Sequence, residues 1–185
     1  MAFLPLWSKF TLLFWLLCHL PSLTSADNVN RTIDDTFGDS ETHQLVSYQP
    51  SNPSPWQDQT CADCFIKPDV SKVFMGTYTA ATYRPGNPPN MNITMQFNGT
   101  AIYVFFVLFN NNGNGADTLT EANFTVDGNS PVLFQHVPNM AITDVLFNQM
   151  VFHQQGLENT QHTLVISTAG VNYDVYVNFD YAIYT

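Results

Sequence analysis

The sequence predicts an all-β protein, an antiparallel β-sandwich, and three observations carry that expectation. Apolar and polar residues alternate along Asn92–Phe97 and Tyr173–Thr185, while almost no stretch repeats apolar residues at helical spacing. Two dipeptides, Asn98-Gly99 and Asp127-Gly128, each stand between apolar runs. Both of their positions tolerate positive φ, which favours hairpins. The run Ala101–Phe109 (AIYVFFVLF) is apolar on both parities, as suits a central strand covered on both faces.

In chain order, residues 1–26 have the layout of a secretory signal peptide. Lys9 precedes the apolar run Phe10–Leu20, and Thr24 and Ala26 stand at the cleavage positions. That run falls short of the roughly 20 residues a membrane-spanning helix needs. No transmembrane segment is expected in the mature chain, since Ala101–Phe109 is also far too short. Residues 27–185 are expected to form one β-sandwich domain, a size that buries roughly 70% of its unfolded surface. Its first strands are Arg31–Asp34 and Leu45–Tyr48. Residues 49–70, rich in Pro, Ser and Asp and holding Trp56 and two cysteines, form a long ordered loop. Thr77–Tyr83 follows as a strand. Asn92–Phe97 turns Ile93, Met95 and Phe97 inward and passes through Asn98-Gly99 into Ala101–Phe109. Asn110–Gly115 (NNNGNG) is a flexible loop tip. Asp127-Gly128 joins Ala122–Val126 to Val132–Val137, and the turn GLENTQ joins Val145–His153 to His162–Ser167. In Tyr173–Thr185, Tyr173, Val175, Val177, Phe179, Tyr181 and Ile183 take the inward parity, and Asp174, Asn178 and Asp180 the outward one. This segment exceeds a normal strand, so a bulge near its middle is expected.

Composition excludes whole classes of partner. The formal net charge is −10, and beyond residue 26 the basic residues are Arg31, Lys67, Lys72 and Arg84. No basic patch exists to neutralise phosphates, so neither nucleic acid nor an anionic membrane is an expected partner. Export would make four sequons available for N-glycosylation, at Asn30, Asn92, Asn98 and Asn123. Cys18 would leave with the signal peptide, so that Cys61 and Cys64 remain. In an oxidising compartment these two, i and i+3 of a turn, suit a bridge worth about 2 kcal/mol. A redox role would want a βαβ setting and zinc would want two further ligands, so the pair reads as a local structural disulfide.

The fragments NGTAIYVFFVL, ANFTVDG and GLENTQHTLVIS…VNFDYAIYT resemble the core strands of galactose-binding-like jelly rolls. Together with IDDTFGDSETHQLVSYQP, the Trp56 and C-x-x-C loop, and VFMGTYTAATYRPG, nearly the whole mature chain is similar to uncharacterised secreted or surface proteins of mushroom-forming (basidiomycete) fungi. Members of that group often carry Trp-His-Asp after the Gly-Thr, whereas here Gly76-Thr77 is followed by Tyr78-Thr79-Ala80. If that run serves a ligand or metal site, this chain has lost or altered it. The resemblance implies that the first and last strands lie side by side, where related carbohydrate-binding modules hold calcium. Asp34, Asp35 and Asp180 are the candidate ligands for a structural Ca²⁺, which wants six to eight oxygens. Solvation of these acids is the plainer reading, since exposed carboxylates need no explanation.

No nucleophile elbow, H-E-x-x-H or phosphate-cradling loop is present. His162 reads as structural. The expected function is a secreted glycoprotein acting as a non-catalytic binding module for cell-wall or surface glycans. The alternatives are a structural or protein-interacting ectodomain at the fungal cell surface and, least supported, a hydrolase. Sugar binding asks for an aromatic platform with polar partners. Trp56, Tyr48, Tyr78 and Tyr83 are the aromatics nearest to loops, and Asn110 and Asn112 are candidate polar groups. For Trp56, anchoring the long loop to the sandwich is the plainer role.

Overall fold

A computed structural model describes residues 29–86, 91–168 and 171–185. The signal-peptide expectation for residues 1–26 lies outside them. The described residues form ten antiparallel strands: β1 (Arg31–Asp34), β2 (Gly38–Asp39), β3 (Ser47–Gln49), β4 (Gln57–Asp58), β5 (Thr79–Tyr83), β6 (Asn92–Phe109), β7 (Thr120–Val126), β8 (Val132–His136), β9 (Val145–Ser167) and β10 (Val175–Tyr184). The remaining regular structure among them is two single 3-10 turns, Val70–Lys72 and Phe74–Gly76.

The two longest strands, β6 and β9, pair along their whole length and run through both layers of the sandwich. The first half of β6 and the second half of β9 join β3, β7 and β8 in one layer. Their other halves join β10, which carries β5 and β1 along its far edge, with β4 beyond β5 and β2 beyond β1. Between the layers lies a core of Ile93, Phe97, Leu164 and Ile166 facing Val104, Phe106, Val177 and Phe179. Phe106 sits at its centre, with ring centroids 5.9 Å from Phe124 and 6.2 Å from Phe179.

The predicted hairpins divide. At Asp127-Gly128 both residues take positive φ (54° and 70°), and the turn joins β7 to β8 as expected. His162 closes this corner: its ring nitrogens lie 2.6 Å from an Asp127 carboxylate oxygen and 2.8 Å from the Glu158 carbonyl. Asn98-Gly99 makes no hairpin. Both residues stay in the ladder, opposite Gln161 and Thr160, and the strand continues through them. Glycine serves a close approach there, since a Cβ on Gly99 would stand 2.3 Å from the Thr185 carbonyl oxygen. GLENTQ is likewise no strand-ending turn. Between Gly99 and Ala101 the partner on β9 jumps from Thr160 to Gln155, so residues 156–159 bulge out and both strands bend into the second layer.

The last strand carries the expected bulge, between Phe179 and Tyr181. It inverts the parity beyond it, so Ala182 and Tyr184 enter the core while Tyr181 and Ile183 are only half-buried. The outward parity before the bulge is not solvated. Tyr176 joins a second apolar cluster with Ile66, Val73, Tyr78, Val107 and Phe109, and the chain between β4 and β5 roofs that face.

Candidate functional site

On this roofed face the structure opens a cleft of about 490 Å³, within the range of small-ligand sites. Its floor includes Tyr78 just before β5, Ala80 of β5 and Tyr176 of β10. Gln57 and Asp58 of β4, Arg84 just past β5, and Asn114 and Asp117 from the β6–β7 loop add polar groups to its lining. Alternation along β5 and β10 sends every second residue outward, and the long loop then encloses what would otherwise be a bare sheet face.

The Cys61–Cys64 disulfide is formed, with the two Cα atoms 5.6 Å apart, and it stands at one side of the cleft. Directly after it, Ile66 plunges into the second cluster while Phe65 points outward, 78% exposed. The Asn114 side chain donates a 2.7 Å hydrogen bond to the Phe65 carbonyl, tying the β6–β7 loop to the stapled segment. The NNNGNG tip, expected to be flexible, is a ladder of side-chain caps. Asn111, Asn112 and Asn114 accept from the backbone N–H groups of Gly113, Asn114 and Ala116. An aromatic ring thus lines a largely apolar cleft with a few polar groups, on a segment held from both sides.

The ionisable groups of the lining have definite protonation states. Hydrogen bonds from the Thr60 hydroxyl and backbone N–H hold the Asp58 carboxyl below the usual carboxylate range, so it is an acceptor. Burial, reinforced by the charges of Asp58 and Asp35, raises the Tyr78 phenol, and burial does the same to Tyr176, so both keep their protons. Arg84 lies 3.4 Å from Asp174 and brings a cation to the rim.

Of the aromatic and amide residues named from the sequence, Tyr78 alone lines the cleft. Trp56 is buried in the main core, donates to the Gln49 carbonyl at 3.0 Å and packs on Tyr48 with centroids 5.2 Å apart. It anchors the long loop and offers no platform. The Tyr48 hydroxyl is spent on the Asp35 carbonyl at 2.8 Å, and that of Tyr83 on the Val171 carbonyl at 3.2 Å. Asn110 is buried and bridges Asp144 and Asn139, while Asn112 caps its own loop. Asn114, at the end of the asparagine-rich tip, also lines the cleft, whereas Phe65, Asp58, Arg84, Asp117 and Tyr176 were not singled out from the sequence. Phe65 alone left a local trace, an aromatic directly after a stapled turn.

The carboxylates proposed for calcium do meet, and they are buried rather than solvated. Asp34, Asp35 and Asp180 are each at most 2% exposed where β1 meets β10. Asp34 accepts from the N–H groups of Thr36 and Phe37 and from the Thr77 hydroxyl. Asp35 accepts from the hydroxyls of Thr36 and Thr79, and Asp180 from the Phe74 N–H at 2.8 Å. One oxygen each of Asp35 and Asp180 finds no partner among the described residues. Burial first, then repulsion from neighbouring carboxylates, pushes Asp35 up to about 6 and Asp180 up to about 7. Among the described residues no three acidic, histidine or cysteine side chains converge to hold a metal ion. Two free oxygens fall short of the six to eight that Ca²⁺ needs.

No protein-family profile matches the chain. Nor does any curated protein. Solved structures share its outline loosely. An exo-β-1,3-galactanase from Phanerochaete chrysosporium with β-1,3-galactotriose is 14% identical at a TM-score of 0.43, matching 83% of this chain and 29% of its own. The Agl-KA catalytic domain is 13% identical at 0.45, matching 85% of this chain and 27% of its own. TmCBM61 in complex with β-1,4-galactotriose is 11% identical at 0.39, matching 75% of this chain and 86% of its own. The chain spans less than a third of the first two. Likeness at this level assigns no family, and the function must be read from the cleft itself.

Proposed function

We propose that the protein is a secreted, non-catalytic binding module whose cleft takes a short, neutral glycan of a cell wall or cell surface. The observation that carries this reading is Phe65, an exposed ring that Ile66, the disulfide and Asn114 hold beside a cleft of mixed apolar and polar lining. A pyranose offers an apolar face to stack on such a ring and hydroxyls for side-chain acceptors and donors such as Asp58, Gln57, Asn114 and Arg84. Export is supported by the sequence layout of residues 1–26 and by a disulfide that oxidising compartments favour. Among the described residues no helix is long and apolar enough to cross a membrane. The non-catalytic reading is supported by the sequence, which carries no nucleophile elbow and no H-E-x-x-H motif.

The test is titration of neutral oligosaccharides, including β-1,3- and β-1,4-galactotriose, against the secreted protein and its Phe65→Ala variant. Saturable binding weakened about tenfold or more by Phe65→Ala, with no sugar released on incubation, is the expected result. Binding indifferent to Phe65→Ala would remove the cleft from the reading. Cleavage of the oligosaccharide would make the protein a hydrolase.

A second reading, an ectodomain that grips protein, draws on one observation. Val132, Val137, Met140 and Ile142 are all more than 40% exposed on β8 and the segment after it, an apolar edge left open. Silence across the oligosaccharide series would move the reading there.

A further inference from the structure

We infer that Asn92, Asn98 and Asn123 are modified together, and that their glycans coat the outer face of the β3–β6–β9–β7–β8 layer, opposite the cleft. The strand register carries the argument. Asn92 stands opposite Ser167, Ser167 opposite Asn123, and Asn123 opposite Leu133, so one cross-strand row holds two sequon asparagines. Asn98 shares the parity of Asn92, six residues along β6 and opposite Gln161. The intervening partners Ile93, Met95, Phe97, Phe124 and Val126 all point into the core, so the three asparagines point out of the same face. Asn92 and Asn123 are about 10 Å apart across two strand spacings, and Asn98 lies about 20 Å along the strand from Asn92.

The chemistry of this face suits a covered surface. Thr94, Gln96, Thr125, Thr163, Val165 and Ser167 occupy it, uncharged and half-buried. Leu133, the cross-strand neighbour of Asn123, is 59% exposed. The opposite layer buries an apolar cluster under its loops, whereas this one presents open strand with a bare leucine. The first sugar on Asn123 would lie over Leu133, cross-strand neighbours being within about 5.5 Å. The fourth sequon, Asn30, stands apart. It precedes β1, whose Arg31 pairs with Tyr184, eight residues along β10 from the cleft residue Tyr176. The cleft face is therefore left clear of sugar.

The modification needs a lipid-pyrophosphate-linked oligosaccharide as donor. The asparagine Nδ2 forms a bond to the anomeric carbon, the carbon–oxygen bond to pyrophosphate breaks, and the amide gives up one proton. The inference rests on export, not on what the cleft binds, so a failure of glycan binding leaves it standing.

To test it, the full chain is expressed in a secreting eukaryotic host and the product is deglycosylated with peptide-N-glycosidase in heavy-oxygen water. Peptide mass spectrometry is expected to find heavy aspartate at all three positions. Unmodified asparagine predominating at any of them, or a chain retained unglycosylated inside the cell, overturns the inference. Hydroxyl-radical footprinting before and after deglycosylation supplies a readout that requires no variant. Leu133 is expected to gain reactivity severalfold while Phe65 stays constant. An unchanged Leu133 would overturn the coat even with all three sites occupied.

Discussion

Asp180 shows how far one buried carboxyl can set a protein's response to pH. It is fully buried, lies beside Asp35, and has one oxygen bonded and one without a partner among the described residues. Its folded value of about 7 and that of Asp35, about 6, both exceed the ordinary 3.8. The folded state therefore holds protons more tightly than the unfolded chain. That stabilisation is full below 3.8 and is lost as pH rises through the two folded values. Thermal unfolding should show a melting temperature that falls between about pH 4 and about pH 7. Asp180→Asn keeps an acceptor for the Phe74 N–H and removes the charge, so it should melt higher than the parent at the alkaline end and flatten the slope. An unchanged slope would reject the carboxyl pair, and a melting temperature lowered by EDTA would reinstate a cation. Sequence parity placed Asp180 on an outward face, correctly, but outward here means beneath the loop chain that supplies Phe74. A loop's path over a sheet leaves no mark in strand periodicity.

At the scale of elements, the β6–β9 ribbon is where the two layers become one molecule. Both strands bend where residues 156–159 bulge opposite Gly99 and Ala101, and the chain end docks at that bend. The Thr185 carbonyl accepts from the Thr100 N–H, and the Thr185 N–H donates to the Ala101 carbonyl at 3.1 Å. Gly99→Ala would put a methyl 2.3 Å from the Thr185 oxygen, and both neighbours are backbone that must shift. We expect a loss of about 1–3 kcal/mol, read by denaturant unfolding, with exchange protection falling first at Thr100 and Thr185. A neutral result would mean that the chain end frays at no cost. The Asn-Gly pair predicted a hairpin on sound turn chemistry. A long partner strand and a docked terminus provided enough pairing to keep the glycine extended, and neither is visible within a local window. His162 at the neighbouring corner fits the structural role read from the sequence. Burial pulls its value down, yet hydrogen bonds to the Glu158 carbonyl and the Asp127 carboxylate together raise it. Its contribution is thus present below 6.5 and fades as pH rises through the raised value, in the same sense as the acid pair.

For the molecule as a whole, Phe106 joins both layers, touching Phe124 of one and Phe179 of the other across the core. Phe106→Ala should cost about 3–5 kcal/mol, and far-UV and near-UV signals should be lost in one transition, since one cavity loosens both layers. Two separate transitions would show that the layers unfold independently. The contrast between the two outer faces is also a whole-molecule property: one bears the cleft under a stapled loop, the other a row of sequon asparagines. By itself the sequence determined the all-β class, most strand positions, the Asp127-Gly128 hairpin, the disulfide and the bulge in the last strand. These follow from side-chain alternation, turn chemistry and spacing, which act over a few residues. Only the tertiary structure decided that Trp56 is an anchor and Phe65 the exposed ring, that Asp34, Asp35 and Asp180 are buried together, and that Asp58, Phe65, Tyr78, Arg84, Asn114 and Tyr176 line one cleft. Those outcomes depend on which distant segments cross the same sheet face, and long-range crossing is set by the packing of the whole chain.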